Sequence, residues 1–214
     1  MKYHKLVENA KKPNGFWGKM MIKAMNKGHS SLTSWGLEHM NIERTATVLD
    51  IGCGGGKTVD RLCSIVANGK VYGIDYSELS VKFSEKLNSK NILCNKAKIL
   101  QASVSDMPFD NNTFDNITAV ETYYFWPDKE NDVKEVFRVL KQGGTVMLLF
   151  EMLRTDDDPF KWEKVENMLN IKSVTPQEIR AVLESAGFEN INTYTKEGTT
   201  WLCATAQKPK GDEN

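Results

Sequence analysis

The run VLDIGCGGGKT, residues 48–58, decides the reading of this chain. Its first four residues are apolar or β-prone apart from Asp50, and four glycines then follow within five positions, from Gly52 to Gly56. A short buried strand that stops at a glycine cluster and restarts as a helix lets a ligand approach the backbone closely, because glycine reaches positive φ without a steric cost. Three ligand classes use such turns. A phosphate-binding P-loop needs a glycine five residues before Gly56, but Ile51 stands there, although Gly56-Lys57-Thr58 matches its second half. A dinucleotide fingerprint fits Gly52 and Gly54 but meets Lys57 where its third glycine belongs. Asp50, beside the start of the next helix, would also repel a pyrophosphate. A positively charged nucleoside such as S-adenosylmethionine, with an ammonium and a sulfonium and no phosphate, turns that repulsion into attraction. Asp75, at the end of the next apolar run (residues 70–74, KVYGI), is positioned to accept both ribose hydroxyls.

Outward from this turn, apolar runs alternate with helical ones. Strands are expected at 46–51, 70–74, 98–102, 114–120 and 145–150, with helices at 58–66, at 77–87 (capped by Ser77) and at 129–140, the last broken by Gly143-Gly144. Parallel strands need crossovers, so this alternation predicts βαβ units on a parallel sheet. The C-terminal part differs. Thr175-Pro176 opens a helix closed by Gly187, and 188–194 and 200–205 read as strands joined by a Lys196-Glu197-Gly198 turn. A hairpin on a parallel sheet makes at least one strand antiparallel. The expected fold is α/β: a Rossmann-like, seven-stranded mixed sheet, mostly parallel with the last strand antiparallel, helices on both faces and an N-terminal helical cap.

Residues 1–43 are expected as that cap or lid, 44–207 as the main domain with an inserted helical segment at 154–172, and 208–214 as a disordered tail. The first 28 residues hold seven lysines against one acid, Glu8, and Phe16, Trp17, Met20, Met21, Ala24 and Met25 recur at amphipathic-helix spacing. The lysine face reads as solvated, or as a guide for substrate. Across all 214 residues, 28 Lys+Arg balance 28 Asp+Glu, so the whole-chain charge favours no nucleic-acid backbone. No apolar run approaches the roughly 18 residues of a membrane span, and the Lys-rich N-terminus lacks an apolar signal core and a small-residue cleavage site, so export is not expected. Cys53, Cys63, Cys94 and Cys203 have no metal-ligand spacing, so no metal site is expected, and reduced thiols in the cytoplasm are the plain reading.

VLDIGCGGG and YGIDYSELSV resemble the first two motifs of the class I S-adenosylmethionine-dependent methyltransferases, and QASVSDMPFDNNTFDNI their third and fourth, closest to the quinone-biosynthesis-like branch. YYFWPDKENDVKEVFRVLKQGGTVML and TPQEIRAVLESAGFENI are similar to the later helices and strands of that family, so the resemblance runs over roughly residues 44 to 207. It implies S-adenosylmethionine as cofactor and S-adenosylhomocysteine as product. It further implies that Asp50, Gly52 and Gly54 hold the methionine end, Asp75 the ribose, Tyr76, Ser103 and Val104 the adenine, and Val120 and Glu121 the methionine and acceptor side. The family's branch commonly has an acid or amide where Ser103 stands, which weakens the adenine assignment.

Methyl transfer needs a general base only if the acceptor must lose a proton early. Candidates are His29, just after the first helix, and Glu121, Tyr123 and Tyr124 at the end of the fourth strand; His39 reads as structural. Tyr123, Tyr124 and Trp126 either stack on an acceptor or sit in the core. Glu121-Thr-Tyr-Tyr124 lacks the Pro-Pro signature of amino-nitrogen methylation. The expected partner is therefore a small-molecule methyl acceptor, with no nucleic acid and no membrane insertion. A donor-binding protein without catalysis and an RNA or protein methyltransferase remain as alternatives, and the oligomeric state is open.

Overall fold

A computed structural model describes residue 10 and residues 12–211. Seven strands, β1 (Thr47–Ile51), β2 (Lys70–Asp75), β3 (Ala97–Gln101), β4 (Phe114–Val120), β5 (Leu140–Phe150), β6 (Glu189–Thr195) and β7 (Leu202–Gln207), form one sheet in the order β3-β2-β1-β4-β5-β7-β6. Strands β1 to β5 pair parallel, and β7 runs antiparallel between β5 and β6. This is the expected mixed Rossmann-like sheet. Its winding reverses between β1 and β4, the switch point that opens a crevice at the carboxyl ends of open α/β sheets. Asp50 of β1 pairs in register with Gly73 and Thr118, so the acid lies directly over that crevice.

Strand side chains alternate between faces, and both faces are apolar. Val48 joins Val59, Leu62 and Val71 on one side, whereas Leu49 and Ile51 join Ile74, Ile117 and Phe150 on the other. Along β5 the same alternation sends Val146 and Leu148 to one cluster and Met147 and Leu149 to a third, under Leu32 and Trp35. The helices that cover these faces are α1 (Gly15–Gly28), α2 (Ser30–Leu37), α3 (Lys57–Ile65), α4 (Glu78–Leu87), α5 (Ser89–Leu93), α6 (Lys129–Val139), α7 (Glu163–Leu169) and α8 (Pro176–Ser185). Ser77 caps α4, and Thr175 with Glu178 forms a reciprocal capping box on α8 behind Pro176. α5 has no buried residue and hence no apolar periodicity to announce it in the sequence.

Two expectations change. The helix expected to run to 140 ends at Val139, and β5 starts at Leu140 rather than after the Gly143-Gly144 pair. Leu140 is fully buried and pairs with Phe114, and the register then shifts before Asn116 meets Thr145. The glycines therefore serve a strand irregularity: Gly143 takes φ +74° and donates its N–H to the Lys208 carbonyl. That contact also changes the tail. The Lys208 ammonium donates to the carbonyls of Phe137 and Leu140, so the chain is held at a position expected to be loose; residues 212–214 lie outside the described residues.

α1 lies over the glycine turn. Ile22 is fully buried there, a burial that stabilises by about 1.5–3 kcal/mol. The Asn26 side-chain amide donates to the Gly55 carbonyl (3.3 Å) and the Ser77 hydroxyl to the Pro13 carbonyl (3.0 Å). At the α1–α2 junction the Arg61 guanidinium donates to the carbonyl and hydroxyl of Ser30. Residues 1–9 and 11 of the expected cap lie outside the described residues.

Candidate active site

The carboxyl ends of β1, β2 and β4 and the inner face of α1 enclose a narrow cavity of about 110 Å³. It opens into a cleft of about 730 Å³ that runs past the end of β3 to α7. Gly52, Asp75, Tyr76, Thr122 and Phe125 line both spaces, so they form one continuous site.

Gly52 carries φ +67°, and a Cβ there would lie 2.2 Å from the Thr122 hydroxyl, so only glycine passes. Gly54 also has positive φ, but a Cβ on it would meet nothing nearer than the Gly52 carbonyl at 4.0 Å. Its bare backbone faces the cavity, a cradle for a ligand. The Asp75 carboxylate accepts N–H bonds from Gly54 (2.9 Å) and Ser77 (2.8 Å), bracing the turn from β2. Burial raises its pKa, and those two bonds oppose the shift. Asp50 is 2% exposed and accepts the Thr118 hydroxyl at 2.8 Å. Burial pushes its carboxyl up to about 7, against the Thr118 bond and helped by the charge of Asp75.

Glu121 follows β4 with φ +58°, an uncommon backbone conformation for glutamate and one that clusters at functional sites. Its carboxylate accepts the Glu151 N–H and the Tyr124 hydroxyl, while burial drives its pKa up to about 8. His29, at the hinge between α1 and α2, brings Nε2 within 4.0 Å of the Glu151 carboxylate. Burial lowers the His29 pKa more than Glu151 raises it, which favours a neutral imidazole. Ligand atoms of His29, Glu121 and Glu151 all fall within 4.8 Å of one another, a trio that could hold a cation although sequence spacing gave no sign of it. Cys53 lines the cavity as a buried thiol whose pKa burial raises well above its ordinary value, so it does not act as a thiolate nucleophile.

The sequence-derived cofactor residues thus converge. Asp50, Gly52, Gly54, Asp75, Tyr76, Val120 and Glu121 line the narrow cavity, and Ser103 and Val104 the cleft beside Asp75 and Tyr76. Of the candidate bases, His29 and Glu121 face the cavity and Tyr124 the cleft. Tyr123 lines neither: 5% exposed, it packs edge-on to Phe150 and against Trp126, because the 3₁₀ turn Tyr123–Phe125 points it into the core. His39 stacks on Tyr194 at 4.0 Å, a packing role as expected. Glu151 and Thr122 carried no sequence signal beyond their place after strand ends, and Asn26 none beyond its place on the N-terminal helix, whereas the α7 wall lies in the 154–172 segment expected to be helical.

These residues fit a cationic nucleoside. Buried carboxyls stand where positive charge would lie, Asp75 stands beside the exposed aromatic Tyr76, and the Gly54 backbone is open to contact. A family model described as a methyltransferase domain matches residues 49–148. The chain is 27% identical over 183 residues to the uncharacterized methyltransferase YdaC of Bacillus subtilis, covering 85% of this chain and 93% of that protein. It is 30% identical over 181 residues to the ubiquinone/menaquinone biosynthesis C-methyltransferase UbiE of Cronobacter sakazakii, covering 73% and 72%. The solved structure of a SAM dependent methyltransferase from Aquifex aeolicus shares the fold with a TM-score of 0.67 at 21% identity, covering 86% and 95%. The chain belongs to the class I S-adenosylmethionine-dependent methyltransferases. It is a methyltransferase enzyme whose cofactor is S-adenosylmethionine.

Proposed function

We propose that the enzyme methylates a small molecule of the kind handled by its quinone-biosynthesis-like relatives, in the cytoplasm, with residues 1–43 acting as a lid on a catalytic domain of residues 44–207. The observation that carries this reading is the concave cleft between the N-terminal helix and the 154–172 segment. α1 roofs one end and α7, within the 154–172 insertion, walls the other, leaving a cleft of about 730 Å³, within the range of small-molecule pockets. Formal neutrality disfavours an RNA acceptor. No helix among the described residues is long and apolar enough to cross a membrane.

Bound S-adenosylmethionine supplies an electrophilic methyl group, and transfer is an in-line displacement in which the acceptor atom bonds to the methyl carbon as the carbon–sulfur bond breaks. The chain's own contribution is alignment and charge. Asp50, Gly52 and Gly54 would hold the methionine end, Asp75 the ribose, and Tyr76, Ser103 and Val104 the adenine. Val120 and Glu121 would line the transfer side. His29, neutral and turned toward Glu151, is suited to take a proton from an acidic acceptor, with Glu121 as the second candidate. α1 contributes Met25 and Asn26 to the wall of the narrow cavity.

The test is incubation of the enzyme and methyl-tritiated S-adenosylmethionine with separated small-molecule, RNA and protein fractions of a cell extract. Label entering the small-molecule fraction is the expected result. Label confined to RNA or protein would overturn the acceptor class, and binding without transfer into any fraction would identify a donor-binding protein instead.

A further inference from the structure

The outward side of α1 is left open. Phe16 is 69% exposed and Met20, one turn on, is 45% exposed; Ala24 continues the same row. Trp17 packs edge-on to Phe16 at 5.6 Å and extends the apolar side inward. About 3.6 residues complete a turn, so Lys19 and Lys23, both exposed, form a second row directly beside Phe16 and Met20. The opposite side holds Gly18 and Ile22, which are buried, with Met25 and Asn26 at the narrow cavity. Open apolar side chains in one row, rimmed by charge, mark an interaction face.

Charge selects the partner. Residues 9–37 contain five lysines and no acid, and the chain as a whole is neutral, so the rest of the molecule is net acidic. A second copy of the chain fits poorly: a two-fold contact through this face would set the lysine rows together with no acid on either helix to pair them. A nucleic-acid backbone would meet the lysines but leave Met20 and Ala24 in water. An anionic bilayer answers both rows at once, because lysines meet lipid phosphates while apolar side chains enter the acyl boundary beneath them. The 14 residues of α1 make a helix of about 21 Å, too short to span a bilayer but suited to lying in its interface.

We propose that the outward side of α1 docks the protein on an anionic lipid surface, with Phe16 and Met20 entering the headgroup boundary and Lys19 and Lys23 meeting lipid phosphates. The inner side of the same helix supplies Met25 and Asn26 to the cavity wall. Adsorption would therefore bring the donor cavity within one helix diameter, about 10 Å, of the lipid. The lipid contact does not depend on which molecule accepts the methyl group.

The experiment is co-sedimentation of the full chain with vesicles of phosphatidylcholine, either alone or mixed with an equal part of phosphatidylglycerol. The chain should pellet with the mixed vesicles and stay in solution with the neutral ones, and added salt should release it. Lys19→Gln combined with Lys23→Gln should lower the affinity for mixed vesicles about tenfold or more, and Phe16→Ser about tenfold. None of these residues lines the cavity or the cleft, so the S-adenosylhomocysteine affinity of each variant should match that of the unmutated chain. Equal pelleting with both vesicle types, no pelleting with either, or mixed-vesicle binding that survives both variants would overturn the docking face. So would poly(U) binding without vesicle binding, which would give the lysines to nucleic acid. A change of oligomeric state in Phe16→Ser would give the row to a second copy of the chain, and a loss of S-adenosylhomocysteine affinity would give it to the donor site; either result also overturns the proposal.

Discussion

Asp75 braces the glycine turn, its carboxylate accepting the Gly54 and Ser77 amides, and is the residue proposed for the ribose hydroxyls of the donor. Asp75→Ala should therefore weaken S-adenosylhomocysteine by about 1–3 kcal/mol, the scale of lost charge-assisted hydrogen bonds. Calorimetric titration checks this, and unchanged affinity would remove the ribose assignment. Asp50 and Glu121 make a pH prediction whose sign follows from burial. Their carboxyls stand at about 7 and about 8, above ordinary values of 3.8 and 4.5, so the donor-free fold holds protons that the unfolded chain has released. The stability these groups contribute is complete below about pH 4 and is lost as pH rises through 7 to 8. A cationic ligand favours their ionised forms. S-adenosylmethionine should bind more tightly as pH rises across that window and should release protons on binding, visible as a dependence of the binding heat on the buffer's ionisation heat. S-adenosylhomocysteine lacks the sulfonium charge and should show a smaller effect. Identical pH profiles for both ligands would mean the acids do not face the sulfonium. Asp50 and Asp75 were readable because the first stands just before the glycine turn and the second ends an apolar strand run. Tyr123 and Trp126 were not separable by sequence, because they lie three residues apart in one aromatic turn and only its packing decides which ring faces the cleft.

Among the elements, α8 announces both its ends most clearly. Thr175 accepts the Glu178 N–H, Glu178 accepts the Thr175 N–H, and Pro176 occupies the first turn, where its missing N–H has no cost. Glu178 also pairs with Arg154, which links the helix to the segment after β5. Thr175→Ala should lower stability by about 1 kcal/mol, seen as a lower urea midpoint with an unchanged denaturant slope. A midpoint that does not move would show that the Arg154 pair alone anchors the helix start. The α6–β5 junction was harder to read. Val139 and Leu140 are both fully buried, and a switch from helix to strand between two apolar residues leaves no polar or glycine signal at the boundary. The glycines three residues later drew the expected break to the wrong place, since they serve the register shift of the strand.

At the scale of the whole molecule, a ligand that binds only the folded chain should raise its melting temperature. At a hundred times its dissociation constant, S-adenosylhomocysteine stabilises by about 2.7 kcal/mol, which for a chain of this size is a rise of roughly 5–10 °C. Differential scanning fluorimetry measures it, and a flat melting temperature at saturating ligand would contradict the assigned donor site. The alternation of apolar strands with helices, the glycine turn and the strand-end acids were set by local chemistry: side-chain period, backbone freedom and charge act over a few residues and are written in their order. That is why the sheet, its antiparallel hairpin and the cationic-nucleoside site could be read from the chain alone. The contacts that seat α1 on the turn through Ile22 and Asn26, and the meeting of His29 with Glu121 and Glu151, were decided only on folding. Each joins elements distant along the chain, and such contacts depend on how packed surfaces settle against one another rather than on any local pattern.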